Sequence, residues 1–83
     1  MKISKILQKA LSSPNNLRFA EVRALAEGYG FGISRVRGSH HIFAHPEIQE
    51  LVNLQEVGGQ AKAYQVKQLL RLIERYNLSS EDM

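Results

Sequence analysis

The 83-residue chain has no cysteine. That excludes disulfides as reinforcement for a small fold, and it removes thiolate from any metal shell. A domain of this length buries only roughly 60 to 65% of the surface that its unfolded chain exposes, so modest stability is expected. Cysteine-free usage suits a reducing compartment. Long apolar runs are missing too. The opening Met1-Lys2-Ile3-Ser4-Lys5 lacks the continuous apolar block of a signal peptide, and nothing later approaches the length of a membrane span. The expectation is a cytoplasmic protein with no membrane association. Aspartate is absent before Asp82, which leaves Ser39 without the carboxylate that a Ser-His-Asp arrangement needs to orient its base. Charge of one sign is also scarce, since 11 Lys and Arg against 8 Asp and Glu leave a net charge of +3. Placement of the cations therefore matters more than their sum.

What is present first is helical periodicity. Ile3, Ile6, Leu7, Ala10 and Leu11 recur at i, i+3, i+4, i+7 and i+8, the stripe of a short amphipathic helix, which Ser12-Ser13-Pro14-Asn15-Asn16 then breaks. A second helix is predicted from Phe19 or Ala20 to Tyr29, burying Val22, Leu25, Ala26 and Tyr29, with Gly30 ending it in the left-handed conformation. The longest helix is predicted over Ala61 to Tyr76, burying Val66, Leu69, Leu70 and Ile73, with Asn77 as its cap. Tyr29, Tyr64 and Tyr76 all fall at core spacing and are read as packing residues.

Between the helices the period changes to two. Phe31 to Arg37 and His40 to Ala44 read as strands of a hairpin around Gly38-Ser39, because glycine at the first central position suits a type II′ turn. Leu51 to Gln55 reads as a third strand with Val52 and Leu54 inward, and Val57 to Gln60 as a flexible link in which Gly58-Gly59 makes a hinge or turn. The order is an extra helix, then helix, three antiparallel strands and helix, an α+β sandwich with helices on one sheet face.

A two-residue turn sets Arg37 opposite His40, Val36 opposite His41, Arg35 opposite Ile42 and Ser34 opposite Phe43. With Phe43 inward, His40 points outward among Arg35 and Arg37, and His41 lies at the edge of the packed side. Ile33, Ile42 and Ala44 fall on the His40 face in this register, so that face is not purely polar, and a longer loop or a bulge would swap the assignments. Histidine exchanges a proton near neutrality and guanidinium grips phosphate, so the cluster has the chemistry of phosphodiester cleavage. A neutral imidazole can take the proton of a ribose 2′-hydroxyl, which then attacks the adjacent phosphorus. A histidine on a strand is more often structural, and the cluster as a whole raises the case for catalysis above that of His40 alone.

Metal binding is disfavoured by the pattern. His40 and His41 point to opposite faces, and His41 and His45 stand about 13 Å apart along a strand. No cofactor is expected. Lys67, Arg71 and Arg75 recur every four residues in one helical column, a like-charge arrangement that an anion would relieve.

The run Gly38-Ser39-His40-His41-Ile42-Phe43 with His45-Pro46 after it resembles the HicA toxins of bacterial toxin-antitoxin systems. Gly30-Phe31 and the stretches Ala63 to Leu70 and Tyr76-Asn77-Leu78 add to the likeness, which covers about Leu17 to Leu78. The resemblance implies a double-stranded-RNA-binding-domain-like fold, α-β-β-β-α with a three-stranded antiparallel sheet, over residues 15–83, preceded by a helical extension over residues 1–14. It implies an endoribonuclease acting on messenger RNA, with His40 as the catalytic histidine and His41 in reserve, neutralised by a HicB-like antitoxin. Expected RNA contacts are Arg35, Arg37, Lys62, Lys67, Arg71 and Arg75, with Gly38 and Ser39 making the hairpin turn, no metal, and a monomer or dimer when free. The rival reading is a noncatalytic RNA-binding or adaptor domain of the same fold.

Overall fold

A computed structural model describes residues 2–80. Its order is α1 (Ile3–Ser12), a single 3₁₀ turn (Pro14–Asn16), α2 (Phe19–Gly28), β1 (Gly32–Arg37), β2 (His40–Ala44), β3 (Val52–Val57), β4 (Gln60–Ala61) and α3 (Ala63–Arg75). The strands form one antiparallel sheet in the order β1-β2-β3-β4. This is the α+β architecture expected, with one short strand more than the sequence suggested.

The extra strand corrects the flexible link over residues 57–60 and bears out the turn at Gly58-Gly59. Gly58 and Gly59 both adopt positive φ, +59° and +80°, the pair of left-handed residues that a type I′ hairpin turn requires. The turn pairs Glu56 with Ala61 and Val57 with Gln60. It also reaches back to the start of α2, where the Phe19 N–H donates to the Gly59 carbonyl at 2.9 Å and the Ala61 N–H to the Leu17 carbonyl at 3.3 Å.

Helices α2 and α3 stop by the same device. Gly30, at φ +94°, lets the Phe31 N–H reach the Ala26 carbonyl and the Gly30 N–H reach that of Glu27. Asn77, at φ +50°, does the same for Leu78 onto Ile73 and for its own N–H onto Glu74. Each is a Schellman motif whose following apolar residue, Phe31 or Leu78, turns back onto the core.

Phe43, Val52 and Leu54 are wholly buried from the sheet side, against Val22 and Leu25 of α2 and Val66 and Leu69 of α3. The helices therefore cover one face of the sheet and leave the other open. Two apolar expectations fail at the rim. Leu11 lies 65% exposed, because α1 seats only a narrow seam through Ile6 and Ala10. Tyr64 is 61% exposed and Tyr76 is exposed as well, so of the three tyrosines read as packing residues only Tyr29 is buried. Tyr76 instead donates its hydroxyl to the Glu50 carboxylate, with the Arg75 guanidinium 5.6 Å from its ring centroid.

α1 is held by more than apolar contact. Lys9 Nζ lies 3.0 Å and 3.1 Å from the two carboxylate oxygens of Glu21 on α2, and Glu21 also accepts from the Arg18 N–H at 3.0 Å. Ile3 packs so closely over Gly28 that a methyl group there would sit 2.7 Å from its side chain.

Candidate functional site

The hairpin that carries the histidines turns at Gly38, φ +57°, while Ser39 keeps negative φ. That combination is the type II′ turn anticipated from Gly38-Ser39. The turn is anchored to β3 rather than free. The Ser39 carbonyl accepts from the Glu56 N–H at 3.0 Å and from His41 Nδ1–H at 3.1 Å, and Ser39 Oγ accepts from the Gln55 amide at 3.3 Å.

Register fixes which side chains share a face. Arg37 pairs with His40, Val36 with His41 and Arg35 with Ile42, as the two-residue turn dictates. The next pair differs from expectation. A bulge at Ser34 brings Ile33, not Ser34, opposite Phe43. The inserted residue moves Ile33 off the His40 face and removes part of the conflict in the alternating pattern. Ile42 remains on that face, half-buried.

On the neighbouring side, His40 pairs with Gln55 and Ile42 with Asn53. The open face thus gathers Arg35, Arg37, His40, Asn53 and Gln55 across three strands. His40 Nδ1 lies 3.2 Å from Asn53 Oδ1 and 3.1 Å from Asn53 Nδ2, so the amide is set against that nitrogen. Nε2 is then the ring atom left for a ligand. Arg35 and Arg37, on the outermost strand, are both exposed.

The other two histidines have different surroundings. His41 projects to the helix side, its ring 4.6 Å from that of Phe19, and its Nδ1–H is spent on the Ser39 carbonyl. His45 is buried. Its Nδ1 accepts from the Glu47 N–H at 3.1 Å, which fixes the hydrogen on Nε2, and Nε2–H donates to the Tyr29 carbonyl at 3.0 Å. The sequence assigned His45 to a turn; it is also the tie between that turn and the end of α2.

The cations expected to contact RNA do not all converge. Arg35 and Arg37 stand with His40. Lys62, Lys67, Arg71 and Arg75 are exposed on or beside α3, in the helix layer, so the sheet lies between this column and the His40 face. Lys67 and Arg71 line a groove of about 550 Å³ with Leu7, Leu11 and Leu70. Arg75 is directed to Glu50, 3.9 Å away. The Tyr76 hydroxyl bond holds the Glu50 carboxyl below its usual range, and the same bond raises the Tyr76 hydroxyl above its own.

Asn53 and Gln55 were not singled out in the sequence. Their alternation with Val52 and Leu54 shows that they share a face of β3, but what they face depends on the β2–β3 register, which the loop over residues 45–51 leaves undetermined. Gln65 was missed as well. It is buried on α3, where its Oε1 accepts from the Gln55 N–H at 2.7 Å and closes the ladder beyond the reach of β4.

Among the described residues, no helix is long and apolar enough to cross a membrane. Comparison with curated proteins and with solved structures returns no match. A family model described as the HicA toxin of bacterial toxin-antitoxin systems matches residues 19–74, from the first residue of α2 almost to the end of α3. The match spans more than half of the chain and leaves α1 outside it, and the chain accordingly belongs to the HicA family of toxins.

Proposed function

We propose that this toxin is an endoribonuclease that cuts messenger RNA without a metal, with His40 as its general acid/base. The observation that carries the reading is the placement of the His40 ring: on the uncovered sheet face, with Nδ1 against Asn53 and Arg37 directly across the strand pair. Nε2 takes the proton of a ribose 2′-hydroxyl, and the freed oxygen attacks the neighbouring phosphorus. The 5′-oxygen departs with the electron pair of its bond to phosphorus and takes up a proton to become a 5′-hydroxyl, leaving a 2′,3′-cyclic phosphate on the other fragment. Arg35 and Arg37 hold the phosphate and stabilise the charge that develops on its oxygens. DNA has no 2′-hydroxyl and does not react by this route.

His41 is the reserve for this role, but its packing against Phe19 and its bond to Ser39 suit it to hold the turn instead. Lys62, Lys67, Arg71 and Arg75 give secondary contacts to RNA long enough to pass around to the helix layer. Residues 1–14 are an extension docked on a catalytic domain formed by residues 15–83. Inhibition comes from a HicB-like antitoxin in the cytoplasm that covers the sheet face carrying His40.

The test is incubation of the purified protein with end-labelled RNA in EDTA, followed by analysis of product ends. Fragments ending in 2′,3′-cyclic phosphate are expected. RNA that is bound but left intact would favour the noncatalytic RNA-binding or adaptor reading and overturn this one.

A further inference from the structure

On the reading that His40 is the acid/base, we infer that Asn53 is its positioning residue: the amide holds Nδ1 so that the neutral ring keeps its hydrogen there and presents the Nε2 lone pair to RNA. The two amide atoms lie at 3.1 Å and 3.2 Å from Nδ1, so an Nδ1–H···Oδ1 bond forms with little movement. The chemistry selects that bond over its converse. If Nδ2–H donated to Nδ1, the neutral ring would carry its hydrogen on Nε2 and have no base to offer on the open face. That bond would also break on protonation, because imidazolium donates from both nitrogens. The Nδ1–H···Oδ1 bond survives both states, so the ring keeps one orientation while Nε2 gains and loses a proton.

The backbone supports the same assignment. Asn53 is flanked by Val52 and Leu54, both wholly buried, and its strand pairs along the length of β2 from Phe43 to His40. Its side chain is therefore projected from a fixed base. Gln55, next on the same face, bonds Ser39, so β3 braces both the ring and the turn that carries it. Asn53 touches no reacting atom in this scheme, so its removal acts on turnover rather than on RNA affinity.

The experiment compares the parent with Asn53→Leu, Asn53→Asp and His40→Ala, each checked for fold by circular dichroism. ¹⁵N NMR of the His40 ring is recorded beside RNA cleavage kinetics. The parent at a pH where the ring is neutral is expected to show a pyrrole-like Nδ1 and a pyridine-like Nε2. Asn53→Leu is expected to lose that preference and to lower kcat with KM unchanged, by at least about tenfold and by less than the roughly ten-thousandfold ceiling of a positioned base. Asn53→Asp retains an acceptor and is expected to restore the tautomer. Its carboxylate favours the imidazolium, so the acid limb of its rate profile moves to higher pH. A parent ring with hydrogen on Nε2, or an Asn53→Leu protein that keeps both tautomer and kcat, overturns the inference. Failure of the parent to cleave RNA would instead sink the ribonuclease reading, and the ring spectra would still decide whether Asn53 sets the tautomer.

Discussion

A methyl group placed on Gly30 would lie 2.8 Å from Nε2 of His45. The two residues meet because Gly30 ends α2 at φ +94° while His45 donates to the carbonyl just before it, that of Tyr29. Gly30→Ala combines a strained backbone with displacement of a buried imidazole. A loss of more than about 1 kcal/mol is expected, read as a lowered urea midpoint with the slope unchanged.

His45→Ala removes two hydrogen bonds and the edge contact with Phe31, whose ring lies 5.1 Å away. Leaving the Glu47 N–H and the Tyr29 carbonyl to find other partners costs about 1 to 3 kcal/mol. The folded fraction should keep the parental rate of RNA cleavage, since His45 is inside and remote from the open face. Activity normalised to folded protein, as judged by circular dichroism, checks this.

Gln65→Leu nearly preserves volume but strips the acceptor from the Gln55 N–H. Destabilisation of about 1 to 3 kcal/mol is expected in chemical unfolding, and faster hydrogen exchange at the Gln55 amide is its specific signature.

Glu21 links α1 to α2, and it gives the fold an acid sensitivity. The Arg18 N–H and then the Lys9 ammonium hold its carboxyl below the ordinary 4.5. A lowered carboxyl in the folded state contributes stability that is present above the unfolded value and is lost as pH falls through the folded one. The parent should therefore lose stability relative to Glu21→Gln as pH drops below about 4.5, while at neutral pH the variant is the weaker by roughly 0.5 kcal/mol. Thermal melts of the two proteins across that range measure the difference.

The separation of cations into two layers gives a division by substrate length. Arg35→Ala and Arg37→Ala should weaken binding of short RNA and make it less sensitive to salt, the slope falling by roughly 1 for each phosphate that is no longer neutralised. Lys67→Ala with Arg71→Ala should leave short oligonucleotides unaffected and matter only for long RNA. Fluorescence anisotropy over a salt series, with oligonucleotides of two lengths, reads both effects.

Much of this was legible in the residues because local chemistry decided it. Gly30, Gly38 and Asn77 marked helix ends and a turn whose φ values only such residues adopt easily, and the two-residue turn alone fixed three cross-strand pairs from Arg37–His40 to Arg35–Ile42. What escaped depended on tertiary context. The bulge at Ser34 compensates an apolar pattern that does not alternate cleanly, and nothing in the run names the residue that will be extra. Gly58-Gly59 reads as hinge or turn alike until the two-residue strand beyond it is seen to find a partner. Asn53 gains its meaning from a register set across a loop. Tyr64 is the exception, a local misreading: its i+3, i+4 and i+7 neighbours on α3 are Lys67, Gln68 and Arg71, so it stands on the exposed face and not with Val66, Leu69 and Ile73.

The central claim is that His40 moves the proton, and the most direct measurement is the single-turnover cleavage rate of His40→Ala beside the parent, both shown by circular dichroism to be folded. A loss of about a hundredfold or more, with RNA binding retained, is the result the account predicts. A folded His40→Ala protein that cuts at the parental rate would contradict it.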